Sequence, residues 1–104
     1  MIMLYVLSED ASQIENIAHD LLNSRLISSV NIDWNRDRYV AANGKIEKKK
    51  LNVMTAVTKA LLFETIDSRL RNQYSQNMPE VFSTPIIHID WDLAKSLIEN
   101  VEKV

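Results

Sequence analysis

The chain contains no cysteine. That removes disulfides, thiolate nucleophiles, iron–sulfur clusters and thiolate metal sites together, and it leaves the redox compartment undetermined. There is a single glycine, Gly44. Loops that cradle phosphate need several glycines so that the backbone can approach the ligand, so dinucleotide folds and P-loop hydrolases are disfavoured. No long block of basic residues occurs and the net charge is −2, so the electrostatic footprint of a nucleic-acid binder is missing. No run reaches the ~18–20 apolar residues of a membrane span. The opening MIMLYVLSED lacks both a basic region and a small-residue cleavage site, which is unlike a secretory leader. These absences lead us to expect a cytoplasmic protein with neither a nucleic-acid nor a membrane partner.

What is present suits one domain over residues 1–104, with 46% hydrophobic and 25% charged residues. A chain of this length buries roughly 60–70% of its unfolded surface, enough for a core without staples. Met1–Ser8 is a short apolar run that reads as a central strand. Ile14, Ile17, Ala18, Leu21 and Leu22 follow at helical spacing behind several N-cap candidates, predicting a helix over about residues 11–24. Leu26–Trp34 alternates, with Val30, Ile32 and Trp34 on one face, and predicts a half-exposed strand with Trp34 packed. After the polar crossing Asn35–Arg38 the strand continues through Tyr39–Ala42, an interruption of the kind a bulge makes. Asn43-Gly44 is the strongest short hairpin signal and suits a type I′ turn. The returning strand, Lys45–Val57, changes apolar phase between Ile46 and Leu51, which predicts a bulge near Lys48–Lys50.

Thr58 is a candidate cap for a second helix with Leu62, Phe63, Ile66 and Leu70 inward. Val81–Ile89 reads as a fourth strand, and Pro85 within it points to a sheet edge or a bulge. Asp90 or Asp92 then caps a last helix whose stripe is Leu93, Ala94, Leu97, Ile98 and Val101. The order β-α-β-β-α-β-α predicts an α+β, ferredoxin-like βαββαβ sandwich with an added C-terminal helix and a long hairpin between its second and third strands.

Several chemistries common on that fold lack their residues here. Metal chaperones use Cys-x-x-Cys. RNA-recognition domains present aromatics on two central strands, and Lys49–Val57 has none. Acylphosphatase-like enzymes need an anion loop where this chain has Glu9 and Asp10. No Gly-x-Ser-x-Gly elbow exists. His19 falls on the polar side of the first helix. Lys48-Lys49-Lys50 reads as protection of a strand edge, as a solvated face, or as a stretch that pairs with acidic side chains of another subunit. His88 and Asp90 stand two apart at a strand end and so share a side, which with Asp92 makes a candidate divalent-metal site of imidazole and carboxylate. The simpler reading of either aspartate is a helix cap.

Local words resemble the CutA family, the divalent-cation tolerance proteins related in architecture to PII signalling proteins. Leu26-Ile27-Ser28-Ser29-Val30-Asn31-Ile32 is similar to that family's Leu-Ala-Ala-Cys-Val-Asn-Ile strand. Asn43-Gly44-Lys45-Ile46 is similar to its Glu-Gly-Lys hairpin tip, and Tyr74 with Pro79-Glu80-Val81 to its Tyr-x-x-Pro-Glu segment. The resemblance runs over nearly the whole chain. It implies a ferredoxin-like protomer, a homotrimer whose long hairpins join sheets between subunits, and a binding or regulatory role in divalent-metal tolerance rather than catalysis. It places Tyr74, Glu80, His88 and Asp90 as candidates to line intersubunit clefts, with a divalent ion or small ligand bound there. Ser29 falls where the family has a cysteine, and serine is a poor ligand for soft metals. The rival readings are a metal-assisted or acid–base enzyme built on His88, Asp90 and Asp92, and a PII-like sensor of a nucleotide or other small ligand.

Overall fold

The computed structural model describes residues 1–103. Its elements run β1 (Ile2–Ser8), α1 (Ala11–Asn23), β2 (Asn31–Ala42), β3 (Lys45–Thr58), a 3-10 turn (Ala60–Leu62), α2 (Phe63–Gln73), β4 (Glu80–Pro85) and α3 (Trp91–Asn100). The strands form one sheet in the order β2-β3-β1-β4, antiparallel at every pairing. This is the ferredoxin-like arrangement, with the helices on one face.

Strand periodicity explains the two sides of the sheet. Leu4, Val6, Met54 and Ala56 point to the helices and join Ile14, Ile17, Leu21, Ile66, Leu70, Leu97 and Val101 in the main core. Their neighbours Leu7, Leu51 and Val53 point the other way and form a second, smaller cluster with Tyr5. Both faces of the central strands are therefore apolar, although only one is covered by helices. That is why β1 and the base of β3 read as continuous rather than alternating apolar runs.

Five expectations are corrected. Leu26 and Ile27 do not begin a strand. Arg25 takes a left-handed φ of 60°, Arg25 N–H donates to Leu22 O at 3.1 Å, and Leu26 N–H donates to Leu21 O at 3.0 Å. This double closure ends α1 and drives Leu26 back onto Leu21, so β2 starts only at Asn31. No bulge forms at Lys48–Lys50, where β3 is continuous, whereas β2 has one at the polar crossing: the register slips between Asp33 and Arg36, and Asn35 adopts φ 55°. The apolar phase of β3 changes because Ile46 and Leu51 serve opposite faces of an unbroken strand. Trp34 sits in that bulge and is 44% exposed rather than packed. Thr58 caps nothing; it is buried at the end of β3 and donates its hydroxyl to Leu26 O at 2.7 Å, and α2 follows the 3-10 turn without a side-chain cap. Finally, β4 stops at Pro85. It is an edge strand, as its proline suggests, but Ile86–Asp90 is a loop. His88 and Asp90 thus share no strand face.

The Asn43-Gly44 turn forms as expected, with both residues at positive φ, 52° and 74°. Asp10 caps α1 and Asp90 caps α3.

Candidate functional site

Strand lengths create the principal cleft. β1 ends where Ser8 pairs with Asn52, and β4 enters where Glu80 pairs with Leu7. Beyond that line β2 and β3 continue alone as a two-stranded arm to the Asn43-Gly44 turn. In the angle between arm and body lies a cleft of ≈ 570 Å³ whose lining includes Leu7, Asp10, Arg38, Lys49, Met78 and Glu80. That volume is in the usual range for small-ligand pockets. Arg38 reaches from the arm to the body and donates to both Glu80 carboxylate oxygens, at 2.6 and 3.4 Å.

Ser8, Asp10, Gln13 and Asn77 of the cleft lining belong to a polar network that continues behind the cleft to Asn52. The Ser8 hydroxyl donates to Gln13 Oε1 and accepts from Asp10 N–H at 3.0 Å. Gln13 Nε2 donates to Asn77 O at 2.8 Å, which ties α1 to the loop before β4. Asn52 Nδ2 donates to Ser8 O at 3.1 Å, while its Oδ1 accepts from Asn35 N–H at 3.1 Å. The last bond satisfies the backbone of the bulge and fixes where the arm leaves the sheet. Among the described residues no buried side-chain polar atom lacks a partner, so the network is closed, the condition under which buried polar groups stabilise a structure.

The acids with displaced proton affinity are held ionised. Asp10 lies below the ordinary carboxylate range because Ser12 and the Gln13 backbone donate to it. Asp20 is lowered by the hydrogen bond from Arg69 and by that guanidinium's charge. Asp37, on the arm, is lowered by the hydrogen bond from Lys50 and by the charges of Lys48 and Lys50. A general acid at neutral pH needs the opposite displacement.

The four expected site residues are divided by the fold. Glu80 forms part of the cleft wall. Tyr74 ends α2 and packs half-buried against the main core; burial, followed by the charges of Asp20 and Asp10, pushes its phenol up. His88 and Asp90 lie at the opposite end of the sheet, where Ile86 N–H donates to Met1 O at 3.1 Å. His88 is exposed in a bend. Asp90 gives one carboxylate oxygen to Leu93 N–H at 3.1 Å. Among the described residues no three His, Asp or Glu side chains converge as a metal-holding group. His19 is exposed beside Glu15 on α1. Arg38, Lys49, Gln13 and Asn52 were not foreseen. Asn52 carried a signal, as a lone amide inside the apolar run Leu51–Val57; the others became site residues only through strand pairing.

The uncovered face of the sheet is the second notable surface. Tyr5 and Phe82 stack there with ring centroids 4.8 Å apart and planes 11° from parallel, next to Leu7, Leu51 and Val53.

The sequence model of one family, CutA1 divalent ion tolerance protein, matches residues 2–99. The divalent-cation tolerance protein CutA of Pyrococcus horikoshii is 28% identical over 103 residues, covering 99% of this chain and all of the relative. The crystal structure of Pyrococcus horikoshii CutA1 superposes with a TM-score of 0.85 at 25% identity, covering 99% of this chain and 100% of that one. A CutA from Archaeoglobus fulgidus superposes with a TM-score of 0.83 at 24% identity, over 98% of this chain and 100% of that one. That relative is described as a periplasmic divalent cation tolerance protein, which overturns the expected cytoplasmic location. No described helix is long and apolar enough to cross a membrane, but such a lack assigns no compartment.

Proposed function

This chain belongs to the CutA1 divalent ion tolerance protein family, and from that premise we propose that it works as a homotrimeric binding protein with a regulatory role in divalent-cation tolerance, and not as an enzyme. The observation that carries the reading is the pairing of a projecting β2–β3 arm with an uncovered apolar sheet face. Tyr39 and Ile46 on the arm are 66% and 77% exposed, and the Tyr5–Phe82 stack with Leu7, Leu51 and Val53 lies beneath no helix. Exposed apolar surfaces of this kind favour association with another protein surface, and identical copies carrying one arm and one open face each form a ring when the rotation between neighbours closes.

Self-association also supplies what one chain lacks for ion binding. His88 and the free oxygen of Asp90 offer one nitrogen and one oxygen donor, and a firm site for a divalent ion needs about four or more. Donors from a neighbouring copy, or water, complete the set. Glu80 in the cleft wall and Tyr74, packed against the core at the end of α2, are the proposed contacts for a small ligand. Native mass spectrometry of the untreated protein tests the reading: three chains with bound ion or ligand are expected, and a single chain contradicts it. For the ion, titration calorimetry with zinc on the wild type and on His88→Ala should give a weakened or lost signal in the variant. An unchanged signal removes His88 from the site.

A further inference from the structure

We infer that the cleft between arm and body binds a short apolar peptide with free termini, its amino end held by Glu9 and Asp10 on the body and its carboxylate by Lys49 on the arm. The inference rests on the small-ligand reading above and names the chemical class of that ligand.

The two walls of the cleft carry opposite free charge. On the arm, Arg38 pairs in register with Lys49, and both line the cleft. Like charges directly opposite each other on paired strands are unfavourable. Glu80 answers Arg38, which donates to both of its carboxylate oxygens. Among the described residues Lys49 forms no ion pair, although Lys48 and Lys50 on either side both reach Asp37. On the body, Glu9 and Asp10 line the cleft at the junction of β1 and α1. Glu9 likewise forms no ion pair among the described residues. Asp10 commits a single oxygen, Oδ1, to the Ser12 N–H, the Ser12 hydroxyl and the Gln13 N–H, and Oδ2 takes none of these bonds. The rest of the lining includes the apolar side chains of Val40, Leu51, Met78 and Pro79.

That pattern selects among ligands. Glu9, Asp10 and Glu80 outnumber Arg38 and Lys49 in the lining, so a phosphate or other multiply charged anion meets net negative charge. A bare divalent ion lacks its cage there, because no three His, Asp or Glu side chains converge among the described residues. A molecule with one positive end, one negative end and an apolar body satisfies every free group at once. Its two charges must stand apart, since the free groups belong to different walls. A single α-amino acid carries both charges on one carbon. An extended dipeptide spans about 7 Å and sets its ammonium and carboxylate at opposite ends, with its side chains available to Val40, Leu51, Met78 and Pro79. The cleft volume of ≈ 570 Å³ accommodates such a ligand together with bridging water. Capture of a free peptide terminus is a recurrent mode of recognition. The body wall is also held ready. The Ser8 hydroxyl donates to Gln13, and Gln13 donates to Asn77 O at 2.8 Å, so β1, α1 and the loop before β4 are already tied together and binding orders little of the protein.

Titration of leucyl-leucine into isotopically labelled protein, followed by amide NMR, tests the assignment. Shifts are expected at Leu7–Asp10, Lys49 and Met78. N-acetyl-leucyl-leucine and leucyl-leucine amide each lack one charge, and each should bind about tenfold or more weakly. Glu9 and Lys49 are both exposed, so substitution there leaves the fold intact. Lys49→Gln should weaken the free dipeptide by a similar factor but change nothing for the amide, which has already lost its carboxylate. Glu9→Gln should weaken the free dipeptide and change nothing for the acetylated one. Blocked peptides that bind as well as leucyl-leucine overturn the assignment, as does a wild type that shows no shifts at millimolar peptide. If that wild type is a trimer by native mass spectrometry, the reading above stands without this ligand. A single chain that shifts with the peptide keeps the cleft assignment and contradicts the trimer.

Discussion

Asn52→Ala is the most informative single perturbation of the protomer. The side chain is buried and ties three backbone groups. Truncation leaves Asn35 N–H without its acceptor at the one position where β2 has its extra residue, held at φ 55°. It also frees the Ser8 and Glu9 carbonyls. A buried or half-buried group deprived of its partner costs about 1–3 kcal/mol, and each ordinary hydrogen bond contributes about 1 kcal/mol net. The expected loss is therefore about 2–4 kcal/mol, a large fraction of the stability of a small domain. Urea unfolding at one fixed protomer concentration measures it, since association adds its own concentration-dependent term. Amide exchange supplies a local check: the Asn35 N–H should lose protection while the β1–β3 ladder keeps its own. Asn52→Asp separates the two halves of the argument. It retains an oxygen for Asn35 N–H but sets a carboxylate against two carbonyls, so it should lose stability while Asn35 remains protected. A loss below about 0.5 kcal/mol for Asn52→Ala, with Asn35 still protected, refutes the view that this amide aims the arm.

Three further perturbations follow from the same geometry. Asp20 is held ionised by Arg69, with contacts of 2.7 and 2.8 Å, so its folded proton affinity lies below the unfolded value of 3.8. The stability this contributes is present above that pH and fades as pH falls through the lower folded value; Asp20→Asn should thus destabilise at neutral pH, with the difference from wild type vanishing in strong acid. Gly44→Ala forces a side chain into φ 74° with open space around it, so backbone strain alone should cost about 1 kcal/mol by chemical denaturation, with no steric part. Asp90→Ala removes the cap of α3 and should cost about 0.5–2 kcal/mol, visible as faster amide exchange at Leu93 and Ala94 ahead of global unfolding.

The parts of the fold written in local periodicity were legible from the sequence. Ile14, Ile17, Ala18 and Leu21 declare α1, and Asn43-Gly44 declares the hairpin, because each depends on neighbours within a turn or two. Errors arose where a tertiary contact outvoted the pattern. Leu26 and Ile27 alternate like a strand, but they are used to close the end of α1. Trp34 continues the Val30–Ile32 alternation on paper, but the extra residue in β2 turns it out toward solvent. The phase change from Ile46 to Leu51 predicts a bulge in β3, yet an apolar side chain on either face is acceptable where the sheet has two apolar faces. The candidate site was less legible still. The sequence points to Glu80, while Arg38, which reaches it across the cleft, is 42 residues away and meets it only through strand order. His88 and Asp90 share a strand face only if β4 runs past Pro85, and it does not.

Sedimentation equilibrium at micromolar concentration tests the central claim most directly, that uncovered sheet face and projecting arm are completed by further copies of the same chain. The account predicts one species of three times the 12.0 kDa chain mass, persisting on dilution. A single species of 12.0 kDa, with Tyr39, Ile46 and Phe82 left in water, contradicts it.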